Sequence, residues 1–187
     1  MTPKPPYALR RALPEDIAAV AAIYAHHVAT GTASFELEPP TLDETARRYS
    51  SLTASGYPYI AAQDANERVV GYAYASAYRA RPGYRYTVED SVYVAADAAG
   101  QGIGGRLLAA LIDACVARGD RQMIAIIGGS DNAASIALHA RAGFVEAGRL
   151  VGVGRKLDRW IDSVLMQRPL GEGTISAPRA REPGNAQ

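Results

Sequence analysis

Six residues, Gly100-Gln101-Gly102-Ile103-Gly104-Gly105, constrain this chain more than any other stretch. They stand between a strand-like run, Thr87 to Val94, and Arg106-Leu107-Leu108-Ala109-Ala110-Leu111-Ile112, part of a helix read from about Gly104 to Arg118. A loop without side-chain bulk that delivers the chain into a helix N-terminus gathers several backbone N–H groups, and the helix dipole there favours negative charge by about 0.3 to 1 kcal/mol. Arg106 can add a charged hydrogen bond. The pattern predicts a phosphate-bearing ligand, with a tight turn that binds nothing as the plainer alternative. The same string also fits G-x-G-x-x-G, with Asp120 twenty residues after Gly100, which is the fingerprint of a dinucleotide-binding fold. Spacing counts against that class: Ala95-Ala96-Asp97-Ala98-Ala99 separate Val94 from the first glycine, and Asp120 precedes the next strand where the fingerprint needs an acid at a strand end.

The remaining periodicity places this unit in an α/β chain with a mixed sheet. Tyr7 to Arg11 reads as a strand, and Pro14-Glu15-Asp16 opens a helix whose Ile17, Val20, Ile23, Tyr24 and Val28 recur at helical spacing. After a loop from Gly31 to Pro40, Thr41 caps a second helix reaching about Ser55, with Glu44 placed as in a capping box. A hairpin, Tyr57 to Gln63 and Arg68 to Tyr78, precedes the glycine unit. A strand (Gln122 to Ile127), a helix (Ala133 to Ala142), a strand (Phe144 to Val153) and a closing strand (Trp160 to Gln167) follow it. Helices between strands imply an α/β sheet flanked by helices. A length of 187 residues with 48% hydrophobic content suits one core, so residues 1–170 are expected to form one domain. Residues 171–187, rich in Gly, Pro, Ala and charge, are expected to be a disordered tail.

Charge narrows the partners. Twenty basic against nineteen acidic residues leave a formal charge of +1, which favours neither nucleic acid nor an anionic membrane and points to a small-molecule partner. Met1 to Arg11 lacks the apolar stretch of a secretory signal, and no run approaches a membrane span, so a cytoplasmic protein is expected. Cys115, the single cysteine, excludes an intrachain disulfide and a thiolate cluster for metal, and its apolar neighbours mark it as core.

Thr87-Val88-Glu89-Asp90-Ser91-Val92-Tyr93-Val94, the loop through Arg106, and Asn132-Ala133-Ala134-Ser135-Ile136-Ala137-Leu138-His139-Ala140-Arg141-Ala142-Gly143-Phe144 together resemble the GNAT acetyltransferases, and more closely their phosphinothricin acetyltransferase branch. The likeness spans Ala8 to Gln167 and includes Arg79-x-Arg81-Pro82-Gly83-Tyr84-Arg85. It implies the GNAT fold, with a central sheet splayed between the strands ending near Val94 and Ile127, and acetyl-CoA as cosubstrate without metal. By resemblance, Gly100, Gln101, Gly102, Ile103, Gly104, Gly105 and Arg106 would hold its pyrophosphate. Val92, Tyr93 and Val94 would pair with the pantetheine arm as a surrogate strand, with Asn132 and Ser135 on its far side. Ala99 departs from the family, whose loop usually opens with Arg or Gln, so that contact falls to Gln101 or Arg106.

An amine attacks a thioester only as the free base, so the reaction needs a proton acceptor and a donor for the carbonyl oxygen. Glu89 is the candidate base; a solvated carboxylate or a salt bridge to Arg85 is the alternative. His139 occupies the place where the branch has histidine, and the resemblance leaves open whether it acts as acid, as base or in binding. Arg79, Arg81, Tyr78 and Tyr84, on the approach to Glu89, suit a carboxylate or phosphinate, and Phe35 matches a family position that covers the substrate. The expected activity is acetyl transfer to the α-amino group of a small amino acid such as phosphinothricin or methionine sulfoximine. A non-catalytic nucleotide- or CoA-binding module, or an acetyltransferase for another small amine, is the alternative. The resemblance also implies a homodimer, with Trp160 and Asp162 in structural roles.

Overall fold

The computed structural model describes residues 7–178; residues 1–6 and 179–187, the outer ends of the expected domain and tail, lie outside them. The described residues build one sheet of seven strands: β1 (Tyr7–Arg11), β2 (Tyr59–Asp64), β3 (Val69–Ala77), β4 (Thr87–Val94), β5 (Gln122–Gly128), β6 (Val145–Lys156) and β7 (Arg159–Pro169). Their order is β1-β2-β3-β4-β5-β7-β6, antiparallel throughout except between β4 and β5. Four helices, α1 (Ile17–Thr30), α2 (Leu42–Ala54), α3 (Ile103–Arg118) and α4 (Ala133–Arg141), flank it.

Local chemistry sets the helix ends. Pro14–Asp16 forms a separate 3-10 turn, because the Asp16 carboxylate accepts the Leu13 N–H at 2.7 Å and two N–H groups of Arg10 at 2.6 and 2.8 Å. At α2, Thr41 Oγ1 accepts the Glu44 N–H at 3.1 Å, but Glu44 spends its own carboxylate on Arg47 and Arg48, so the expected reciprocal half of the capping box does not form. Strands β6 and β7 close through Leu157-Asp158, whose positive φ angles of 50° and 57° match the twist of a two-residue hairpin.

Two apolar layers lie on opposite faces of the sheet. Leu107, Leu108, Leu111, Ile112 and Cys115 of α3 pack with Val88, Met123 and Val164 on one. Ile17, Val20 and Ile23 of α1 and Tyr49 of α2 pack with Tyr59 and Tyr72 on the other. Burial pushes the Cys115 thiol up to about 12, with the nearby Asp120 charge adding to it, so the thiol stays protonated and serves as core. Beyond β7, residues 171–178 run as turns against Arg121, which donates to the carbonyls of Gly173 and Ala177 and to Ser176 Oγ.

Candidate active site

Strands β4 and β5 pair only at Thr87–Gln122, Val88–Met123 and Glu89–Ile124, then part. Across the other edge of β4, the Ala95 N–H donates to Val70 O and the Tyr78 N–H to Thr87 O. Antiparallel pairing therefore turns the backbone groups of the odd-numbered β4 residues toward β3 and those of Asp90, Val92 and Val94 toward the gap. Side chains alternate as well: Val88, Val92 and Val94 join the α3 layer, and Tyr93 joins the layer of α1 and α2.

A cavity of about 250 Å³ opens where the strands part. Its walls are Glu89 to Tyr93 from β4, Ala125 to Ile127 from β5, and Asn132, Ser135 and His139 from α4 and its cap. Tyr24, Tyr74 and the α1–α2 loop residues Ala33, Ser34 and Phe35 complete it. Glu89 is half-buried here, and no cation among the described residues offsets it. Burial, followed by the negative charge of Asp90, pushes its carboxyl up to about 7. Such a group is partly ionised at neutral pH and can take a proton there.

Asp90, one residue on, faces the opposite side. Its Oδ2 lies 3.0 Å from His139 Nε2, and the two side chains are 2% and 6% exposed. The other ring nitrogen, Nδ1, lies 2.8 Å from the Ser135 carbonyl oxygen. Burial pulls the imidazole down, but the hydrogen bond and charge of Asp90 outweigh it and, with the Ser135 carbonyl, hold His139 above the usual histidine value. Breaking a buried pair of this kind costs about 3–5 kcal/mol, because the remaining charge is left without compensation.

The loop carrying Phe35 is clamped from several sides. Tyr24 and Ser34 share a hydrogen bond of 2.7 Å, and the buried Lys156 of β6 donates to the Ser34 carbonyl at 2.8 Å. Phe35 lies so close to Gly154 that a Cβ there would stand 2.2 Å from its ring, so only glycine permits this seat.

The glycine loop fits a pyrophosphate. Gly102 caps α3 at φ +77°, a conformation glycine adopts without strain. The first-turn N–H groups of Ile103, Gly104 and Gly105 have no intrahelical carbonyl to bond. Ile103 can offer only its amide, since its side chain is core. Gln101 is exposed, and the Arg106 guanidinium lies 5.1 Å above the Tyr7 ring. Asn132 caps α4, its Oδ1 accepting the Ser135 N–H at 3.2 Å.

Of the site residues expected from the sequence, Phe35, Glu89, Val92, Tyr93, Asn132, Ser135 and His139 line the cavity at the split, while Gly100 to Arg106 lie outside its lining, at the start of α3. Tyr93 turns its backbone to β3 and brings only its ring, while the Val94 carbonyl accepts a bond of 2.8 Å from His27. Tyr78, Arg79, Arg81 and Tyr84 stand in the β3–β4 connection and do not line the cavity; the Arg79 guanidinium lies 5.1 and 5.9 Å from the rings of Tyr78 and Tyr84. Sequence reasoning passed over Asp90, Tyr24, Ser34, Tyr74 and Lys156. Alternation on β4 could have separated Asp90 from Glu89, but nothing local ties it to a histidine 49 residues away.

Comparison with known proteins places the chain in a family. Residues 20–144 match the model of the acetyltransferase (GNAT) family. A phosphinothricin N-acetyltransferase of Alcaligenes faecalis is 52% identical over 164 residues, 88% of this chain and 83% of that protein. An L-methionine sulfoximine/L-methionine sulfone acetyltransferase of Pseudomonas paraeruginosa is 42% identical over 163 residues, 87% of this chain and 94% of that protein. A crystal structure of a phosphinothricin acetyltransferase from Sinorhizobium meliloti in complex with acetyl-CoA superposes with a TM-score of 0.90 at 47% identity, covering 92% of this chain and 93% of that one.

Proposed function

The chain belongs to the GNAT acetyltransferase family, and from that premise we propose that it transfers the acetyl group of acetyl-CoA to the α-amino group of a phosphinothricin-like or methionine sulfoximine-like amino acid. The observation that carries this reading is Glu89, a carboxyl pushed up to about 7 at the point where β4 and β5 part. Acetyl-CoA, when bound, supplies the acetyl group activated as a thioester. Glu89 takes a proton from the substrate ammonium, directly or through water, and so frees the attacking lone pair. The Val92 N–H, turned into the gap, donates to the acetyl oxygen as charge develops on it. Amides of Gly100 to Gly105 hold phosphate with Gln101 and Arg106 beside them, and Asn132 and Ser135 flank the arm. Phe35 covers the acceptor, and Tyr78, Arg79, Arg81 and Tyr84 meet its acidic group at the approach.

Residues 1–170 are taken as one acetyltransferase domain, supported by the continuous sheet and the family match inside it. Among the described residues no helix is long and apolar enough to cross a membrane. We assign the enzyme to the cytoplasm, where acetyl-CoA is available to it. A homodimer is supported by the apolar surface of β6 and β7, where Val151 and Trp160 are 79% and 70% exposed beside Val145, Leu150 and Val153.

The test is a thiol-release assay with acetyl-CoA against phosphinothricin, methionine sulfoximine, the common amino acids, polyamines and aminoglycosides. Turnover is expected with the first two. Release with polyamines or aminoglycosides alone would contradict the substrate class.

A further inference from the structure

The proposed function leaves His139 without a defined part, and its surroundings assign one. Both ring nitrogens face acceptors: the Asp90 carboxylate at 3.0 Å and the Ser135 carbonyl at 2.8 Å. A neutral imidazole has one N–H and one lone pair, so it donates to only one of these oxygens and leaves the other nitrogen facing an acceptor or, at Nδ1, the more distant Ser135 hydroxyl at 3.4 Å; only the imidazolium donates to both. The second oxygen of Asp90, Oδ1, is buried and meets no donor among the described residues, so the compensation of this carboxylate is concentrated on His139.

We propose that Asp90 is a positioning residue for acetyl transfer, which holds His139 as a fixed imidazolium at the split between β4 and β5. On this view His139 is a standing positive charge for the departing thiolate and has no lone pair with which to act as a base. The proposal rests on the acetyltransferase reading above. During transfer the C–N bond forms and the C–S bond breaks with its electron pair on sulfur. The ammonium gives one proton to Glu89 and a second to the thiolate or solvent, while His139 keeps both of its own.

The titratable groups around the pair are consistent with this role. From β4, Glu89 points to the other face and is the group left to accept protons. From α3, Cys115 is a neutral thiol. Within α4, the Ser135 hydroxyl is 3.4 Å from Nδ1, and beyond the helix the Phe144 ring meets the imidazole edge-on with centroids 5.1 Å apart.

Nitrogen NMR of the full chain labelled with ¹⁵N-histidine, with His139 assigned by comparison with His139→Gln, reads the ring directly. At pH 8 an ordinary histidine, with a pKa of about 6.5, is neutral. Both His139 nitrogens are expected to be protonated there, and a neutral ring overturns the proposal. Asp90→Asn is expected to lose the doubly protonated signature and to lower kcat about a hundredfold, with the KM for acetyl-CoA changed less than about twofold. Asp90→Glu is expected to restore the signature and most of the rate. A folded Asp90→Asn variant that keeps the wild-type kcat overturns the proposal. If Asp90→Asn does not fold, the wild-type spectrum and Asp90→Glu decide. Wild-type protein that acetylates no amine would sink the functional reading, while the ring spectrum still judges Asp90.

Discussion

Glu89 and Asp90 are adjacent carboxylates on one strand, and the fold gives them opposite electrostatics. Strand alternation sends Glu89 to the face of α1 and α2, where it is half-buried with no cation among the described residues to offset it and its carboxyl rises to about 7. The same alternation sends Asp90 to the face of α3 and α4, where His139 meets it in a buried pair. One residue of register separates a half-buried carboxyl that can exchange a proton near neutral pH from one held in a buried pair with a histidine. Environment, not residue type, divides the two tasks.

The largest effect that would break this contrast is on the proton acceptor. Glu89→Gln is expected to lower kcat about 10²- to 10⁴-fold, with the KM for acetyl-CoA little changed in steady-state assays. Gly102→Val attacks the cofactor end instead. A valine at φ +77° carries strain of about 1–3 kcal/mol, and calorimetry is expected to show acetyl-CoA binding weakened by about tenfold or more. Gly154→Ala acts on the acceptor side: its Cβ displaces Phe35, so the KM for the amino acid should rise about threefold to tenfold, as for lost binding of roughly 1 kcal/mol, with acetyl-CoA binding intact.

The smallest effect sharpens the contrast through stability. A carboxyl whose folded pKa lies above its unfolded value binds more protons when folded, so the native state loses stability as pH rises from the unfolded pKa of 4.5 through about 7. Glu89→Gln removes that cost. Urea unfolding is expected to show the variant more stable than wild type by roughly 1–2 kcal/mol at pH 8, discounted for the partial exposure of Glu89, and nearly equal to it at pH 4.

Much of this site was legible in the sequence because its signals are local. Strand β4 has the expected ends, Thr87 and Val94, and α3 begins one residue before the glycine at which it was read. Asn132 betrays itself as a cap by preceding Ala133-Ala134-Ser135. What escaped is held by long-range packing. The Asp90–His139 pair, the Lys156–Ser34 bond across 122 residues, and the seat of Phe35 on Gly154 bring together residues that no spacing rule connects. The order that inserts β7 between β5 and β6 is equally invisible locally, since a hairpin can add to a sheet by either strand. The β3–β4 connection that carries Tyr78, Arg79, Arg81 and Tyr84 bends through a 3-10 turn at Pro82–Tyr84, and the contacts of Arg79 with the rings of Tyr78 and Tyr84 follow from that bend, which the sequence pattern did not give.

The pH dependence of kcat/KM for the amino-acid substrate, compared between wild type and Glu89→Gln, tests the role of Glu89 most directly. The wild-type profile is expected to rise through an apparent pKa of about 7, and the variant to lose that limb. A wild-type profile without a break between pH 6 and 8, or the same break persisting in Glu89→Gln, would contradict it.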